Sequence, residues 1–159
     1  MMLMRHAKSS WDNPTMSDRT RPLNERGRRI APKMGALIRK LEYLPDMIYC
    51  STAQRTRETL ELLTSEIGLI PRIHFSDAIY EASVGSLVEL IQNTSDEFQS
   101  IMIIGHNPGM ELCIKFFTDE LIQMPTATIV LIELNIDSWA EVSISHGKIV
   151  DVLRPKEIF

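Results

Sequence analysis

Three segments of the chain close an apolar run on residues that handle anions. They are Leu3-Met4-Arg5-His6, Ile48-Tyr49-Cys50-Ser51 leading to Arg55, and Met102-Ile103-Ile104-Gly105-His106. Each reads as a strand, then polar residues, then a loop or helix. In a parallel α/β sheet such strand ends point to one edge, and ligands bind in the crevice there. Two histidines and two arginines from distant parts of the chain would then share a site.

That set suits a phosphoryl group, which carries about −1.5 to −2 charge at neutral pH. Arginine grips it through a planar fork. Arg55 falls in the first turn of a helix, where free backbone N–H groups also favour an anion. A neutral imidazole can attack phosphorus. A second imidazole, cationic, would stabilise charge on the equatorial oxygens. Such a kit needs no metal and no cofactor.

Each piece also has a plain explanation. His6 alone fits a loop or core histidine, His106 alone a residue supporting a helix cap before Asn107-Pro108, and Arg55 an ion pair with Glu58 or Glu61 on its own helix. His74 reads as part of a half-exposed strand and His146 as a turn residue. The isolated histidines and distant Cys50 and Cys113 show no zinc-ligand spacing.

The elements that would position these residues alternate. Met2 to Arg5 reads as a strand, and Lys8 to Leu23 as a loop rich in Asn, Asp, Ser and Pro. A helix is expected from near Asn24, with Ile30, Met34, Leu37, Ile38, Leu41 and Leu44 on one face, ended by Pro45. Met47 to Cys50 reads as a strand, with Ser51 or Thr52 capping a helix that stops at Gly68. Arg72 to Phe75 is a further strand and Ser83 to Gln92 a helix. Ile101 to Ile104 is a central parallel strand, after which Asn107 would cap a helix with Pro108 at its first position. Thr128 to Leu134 is a strand. Glu141 to Ser145 and Lys148 to Leu153 read as a hairpin turning at His146-Gly147. The expected fold is a single α/β domain over residues 1–159, with a mostly parallel sheet, helices on both faces and antiparallel edge strands.

The bulk numbers agree with one such domain: 159 residues, 44% of them apolar. A net charge of −4 argues against a general nucleic-acid binder. Arg5, Lys8, Arg19, Arg21, Arg26, Arg28, Arg29 and Lys33 nonetheless crowd the first third of the chain, which fits a local anionic ligand. For Arg28, Arg29 and Lys33 the simpler reading is a solvated helix face. No apolar run is long enough to span a membrane, and Met1 to His6 is too short for a signal peptide. A cytoplasmic protein with reduced thiols is expected. A monomer is also expected, because no strongly apolar surface helix stands out.

Arg5-His6-Ala7-Lys8-Ser9-Ser10-Trp11 resembles the opening motif of the histidine phosphatase superfamily, normally Arg-His-Gly. Arg21-Pro22-Leu23-Asn24-Glu25-Arg26-Gly27 is similar to its segment entering the first helix. Ser51-Thr52-Ala53-Gln54-Arg55-Thr56-Arg57-Glu58-Thr59 resembles its Ser…Arg…Thr helix start, and Ile104-Gly105-His106-Asn107-Pro108 its second histidine motif. All occur in the family's order, and the short length is most similar to the SixA-like, phosphohistidine phosphatase branch. The resemblance implies a phosphoglycerate mutase-like fold, His6 as the phosphorylated nucleophile, and Arg5, Arg55 and His106 as the phosphate pocket. Glu81 matches a position where the family often keeps a proton donor. Helix-dipole support from Glu81 is the alternative. Arg21 would be an outer substrate contact. Ala7 departs from the usual glycine and bears on the backbone shape of the motif.

Three functions compete. A phosphohistidine phosphatase acting on a protein needs little acid catalysis, because a phosphoramidate protonated on the ring leaves as neutral imidazole. A phosphatase of small sugar or nucleotide phosphates would need Glu81 and a lid; the short loop from Trp11 to Arg21 is the only candidate lid. A non-catalytic phosphate-binding module would have no use for His6.

Overall fold

The structure is a computed structural model that describes residues 1–68 and 71–159. Its strands are β1 (Met2–Arg5), β2 (Met47–Ser51), β3 (Arg72–Ser76), β4 (Ile101–Gly105), β5 (Ile129–Leu134) and β6 (Gly147–Leu153). They form a six-stranded sheet in the order β3-β2-β4-β1-β5-β6. β1 to β4 run parallel, whereas β5 and β6 are antiparallel to their neighbours. The helices are α1 (Glu25–Lys40), α2 (Gln54–Ile67), α3 (Val84–Gln92), α4 (Gly109–Thr118) and the short α5 (Pro155–Ile158).

The central strands are apolar on both faces because both faces are covered. Met2, Met4, Ile48, Cys50, Met102 and Ile104 pack against Met34 and Ile38 of α1 and Leu60 and Leu63 of α2. Their alternates Leu3, Tyr49, Ile101 and Ile103 face Leu87 and Ile91 of α3 and Met110, Ile114 and Phe117 of α4. A one-residue slip would exchange the two sets, so packing on both sides fixes the register that sets the strand ends level.

Local chemistry fixes the helix ends. The Asn24 Oδ1 accepts from the Gly27 N–H at 2.9 Å, capping α1. A Cβ on Gly27 would overlap the Lys8 carbonyl oxygen, so glycine lets α1 lie directly against the chain that follows His6. α2 stops at Gly68, whose φ of 80° is left-handed. Arg28, Arg29 and Lys33 lie on the solvated face of α1.

Several local expectations are corrected. α1 ends at Lys40, and Leu41 beyond it is exposed rather than on the buried face. The residue before α2 is Ala53, which makes no side-chain cap; Ser51 and Thr52 spend their hydroxyls on His106 and Asp77 instead. α4 begins at Gly109 after a cis Asn107-Pro108 bond. The Asn107 amide donates to Glu111 and to the Met124 carbonyl, so it does not cap the helix. The expected C-terminal hairpin is absent, because Glu141 ends a 3-10 turn and 142–145 form no strand. β6 pairs with β5, with a bulge between Leu131 and Ile132.

Candidate active site

Sheet register brings the two histidines together. Arg5 pairs with Gly105 on neighbouring parallel strands, so His6 and His106 leave the sheet at the same height. The His6 N–H donates to the Gly105 carbonyl at 3.1 Å, and the ring centroids are 5.2 Å apart. Ser51 closes β2 beside them, and α2 delivers Arg55 from its first turn. Arg5, His6, Arg55 and His106 line one pocket of about 430 Å³, with Trp11, Asp18, Arg21 and Glu81 at its walls. That size suits a small-ligand site. A second cavity of about 260 Å³, lined by Met1, Phe98, Glu133 and Trp139 among others, holds no histidine, lysine or arginine side chain.

Hydrogen bonds fix the histidine tautomers. The His6 Nδ1 lies 2.7 Å from the Ala7 carbonyl, which can only accept, so Nδ1 carries the proton. Nε2 is therefore unprotonated, and its lone pair accepts the Arg55 Nε–H at 3.3 Å. For His106, the Arg55 Nη2 donates to Nδ1 at 3.2 Å. The His106 Nε2–H then donates to Ser51 Oγ at 2.8 Å. Burial pushes His6 down to about 3 from 6.5, opposed by the Ala7 bond and helped by the nearby His106 ring and guanidiniums; burial and then Arg55 push His106 down to about 4. The sequence reading casts His106 as a cation. Burial and the bond from Arg55 both oppose a proton on Nδ1 in the unliganded pocket.

A relay through α2 holds the His6 loop. The Ala7 N–H donates to Thr59 Oγ1 at 3.0 Å, and the same hydroxyl donates to the Arg55 carbonyl at 2.7 Å. Ala7 is fully buried in the core, and its φ is not in the left-handed region. Its methyl is thus accommodated where the family usually keeps glycine. Arg5 donates to the Met124 carbonyl at 2.9 Å, and its Nε is buried without a partner among the described residues.

Arg21 lines the pocket, but its guanidinium already donates to Ser9 Oγ at 2.8 Å, to the Ser10 carbonyl at 3.2 Å and to Asp18, and it stacks 3.5 Å from the Trp11 ring centre. Glu81 is an exposed wall residue with a left-handed φ of 50°. α3 is capped by Ser83, whose Oγ accepts from the Ser86 N–H at 3.1 Å, so the helix has its cap without Glu81. His74 lies on β3 and His146 before β6, away from the pocket lining.

Sequence reasoning missed Asp18, Tyr80 and the roles of Ser51 and Thr59. Asp18 takes the Arg55 Nη2 at 3.0 Å, Arg21 at 3.0 and 3.1 Å, and the Tyr80 hydroxyl at 2.7 Å. Partial burial works against its ionisation. The bonds from Tyr80, Arg21 and Arg55 outweigh that and hold the carboxyl well below the usual range. The spacing of Asp18 three residues before Arg21 was the available signal. Among the described residues, no three His, Cys, Asp or Glu side chains are placed to hold a metal ion.

The model of the histidine phosphatase superfamily, branch 1, matches residues 1–102. The chain belongs to that superfamily. An uncharacterized chloroplastic protein of Arabidopsis thaliana is 31% identical over 150 residues, covering 89% of this chain and 69% of its own length. An uncharacterized Mycobacterium tuberculosis protein is 33% identical over 66% of this chain and 63% of its own. A solved structure from Agrobacterium tumefaciens, described as a candidate phosphohistidine phosphatase SixA, superposes with a TM-score of 0.84 at 30% identity, over 97% of this chain and 96% of that one. A protein histidine phosphatase SixA complexed with tungstate shares the fold at a TM-score of 0.86 and 18% identity, over 99% and 98%. This histidine phosphatase therefore has a SixA-like, phosphoglycerate mutase-like fold, and its family membership supports phosphatase chemistry. Among the described residues no helix is long and apolar enough to cross a membrane.

Proposed function

We propose that this histidine phosphatase removes phosphate from phosphohistidine on a protein, through transient phosphorylation of His6 and without a metal ion. The observation that carries the reading is the unprotonated His6 Nε2, facing the pocket and bonded by Arg55 at 3.3 Å, with the ring proton on Nδ1 tied to the Ala7 carbonyl. In the first step Nε2 attacks phosphorus as the bond from phosphorus to the substrate's ring nitrogen breaks. The bonding pair stays with that nitrogen. The ring departs as neutral imidazole because its other nitrogen already holds a proton. Water then attacks the phosphorus on His6, the phosphorus–Nε2 bond breaks, and inorganic phosphate leaves. Arg5 and Arg55 hold the oxygens throughout, and His106 joins them once an anion draws a proton onto its ring.

The substrate reading rests on the leaving group and the rim. Imidazole, with a conjugate acid near pKa 6.5, needs little proton donation. Residues 11–20 are all exposed, which fits a pocket open to a protein-borne group. A reduced, cytoplasmic setting suits the buried Cys50 and Cys113 thiols. A second reading, hydrolysis of small phosphate esters, draws on Glu81 in the pocket wall as a proton donor. A turnover screen without added metal separates the two. It compares a histidine-phosphorylated protein, p-nitrophenyl phosphate and sugar phosphates. The reading expects the highest kcat/KM on the phosphohistidine protein, and a higher value on a sugar phosphate would overturn it.

A further inference from the structure

The pocket built for an anion already contains one. The Asp18 carboxylate takes the Arg55 Nη2, and the Asp18 carbonyl oxygen takes the Arg55 Nη1 at 2.6 Å. The Arg55 Nε–H goes to His6, and Nη2 also reaches His106. A guanidinium has five N–H donors in one plane, and this one is nearly spent on the protein. A phosphoryl group gripped by its outer fork must take those positions from Asp18.

Asp18 keeps its Arg21 and Tyr80 partners during this exchange. Arg21 still donates to its other oxygen and Tyr80 to Oδ2, and the carboxyl is held well below the usual range. Donors surround the Asp18 carboxylate on both oxygens, which places it to act through its charge. Its side chain is 44% exposed, against 6% for Arg55, so it sits toward the mouth while His6 lies inside. In-line displacement places the leaving group opposite the attacking nitrogen, and so toward the mouth and Asp18.

We propose that Asp18 is a specificity-determining residue that selects phosphoramidates protonated on their imidazole ring over phosphate esters. The inference rests on the reading of His6 as nucleophile. A phosphorylated imidazole with a proton on its other nitrogen meets an opposite charge at Asp18, which favours the protonated form that departs as neutral imidazole. An ester brings no cation, and its leaving oxygen gains negative charge facing a carboxylate. It must displace Asp18 from Arg55 with nothing in return. Arg19, paired with Asp77 and stacked on Tyr80, leaves the carboxylate exposed to the mouth.

The test is Asp18→Asn in the full chain, read by kcat/KM on a histidine-phosphorylated peptide and on p-nitrophenyl phosphate, and by inhibition with inorganic phosphate. Removing one charge at this range should lower the phosphohistidine-to-ester ratio about tenfold or more. The phosphate Ki should fall as the ester rate rises. Asp18→Ala, with a different change of volume, should give the same ratio if charge is the cause, and it substitutes should Asp18→Asn fail to fold. An unchanged ratio, or parallel losses on both substrates, overturns the proposal and leaves Asp18 as a positioning residue for Arg55. Should the unmutated protein turn over no phosphohistidine, the substrate reading fails. The phosphate Ki then decides alone, and a value that does not fall in Asp18→Asn overturns the charge filter.

Discussion

The Arg55 Nε lies 3.3 Å from the His6 Nε2, so the group proposed to hold the phosphoryl oxygens touches the atom proposed to attack phosphorus. The contact is made across 49 residues of sequence. It exists because β1 and α2 meet through Thr59, which accepts from the Ala7 N–H and donates to the Arg55 carbonyl.

Arg55→Lys tests that contact. Lysine keeps the charge but has no planar fork and cannot reach His6, His106 and a phosphoryl group together. We predict that kcat/KM falls by about 10²-fold or more, with weaker inhibition by inorganic phosphate. Activity within tenfold of the unmutated protein would mean that Arg55 supplies only charge.

Ser51→Ala tests how His106 is held. Losing the hydroxyl leaves the buried Nε2–H without its acceptor and frees the ring to turn. We predict a stability loss of about 1–3 kcal/mol in denaturant titration. We also predict a kcat lower by roughly 10- to 100-fold with little change in KM. An equal loss in Ser51→Thr would count against a hydroxyl role, because threonine retains the acceptor.

The histidine protonation states give a pH test. His6 and His106 are held down to about 3 and about 4 from 6.5. Between about pH 6.5 and pH 4 the unfolded chain binds protons that the native chain refuses. The contribution of these two residues therefore makes stability fall as pH drops through that window. We predict that ring signals of both residues in the free protein remain neutral at about pH 5.5 by NMR. Bound phosphate should raise the His106 midpoint. A free-protein midpoint near 6.5 for His6 would contradict the burial argument.

Much of this architecture was legible in the sequence because its causes are local. Ile101 to Ile104 has the length and unbroken apolar character of a strand covered on both faces, and it forms β4, which ends one residue before His106. Asn24 and Gly68 marked helix ends by chemistry that acts within one turn. The misses were long-range. Ser51 looked like a helix cap until β2 and β4 paired and placed His106 against it, and Asn107 until Glu111 and Met124 claimed its amide. Asp18 opens a short 3-10 turn, 18–20, in a segment whose sequence has no periodicity, and only the fold brings it to Arg55. The burial of His106 and its bond from Arg55 are tertiary facts that no local pattern carries.

Glu81 tests the ester reading. As a proton donor to an alkoxide, its replacement in Glu81→Gln should slow alkyl phosphate hydrolysis by about 10²-fold or more. Phosphohistidine hydrolysis should change little, because that leaving group departs already protonated. Equal slowing of both would point to a positioning role, and no change in either would leave Glu81 outside the chemistry.

The central claim is covalent transfer to His6, and it is tested most directly by trapping. The protein is mixed with radiolabelled phosphohistidine substrate in EDTA, quenched within a turnover and digested. The account predicts an acid-labile, base-stable label on the peptide carrying His6, lost in His6→Ala together with turnover. Full turnover by His6→Ala, or label appearing only when magnesium or zinc is restored, would contradict it.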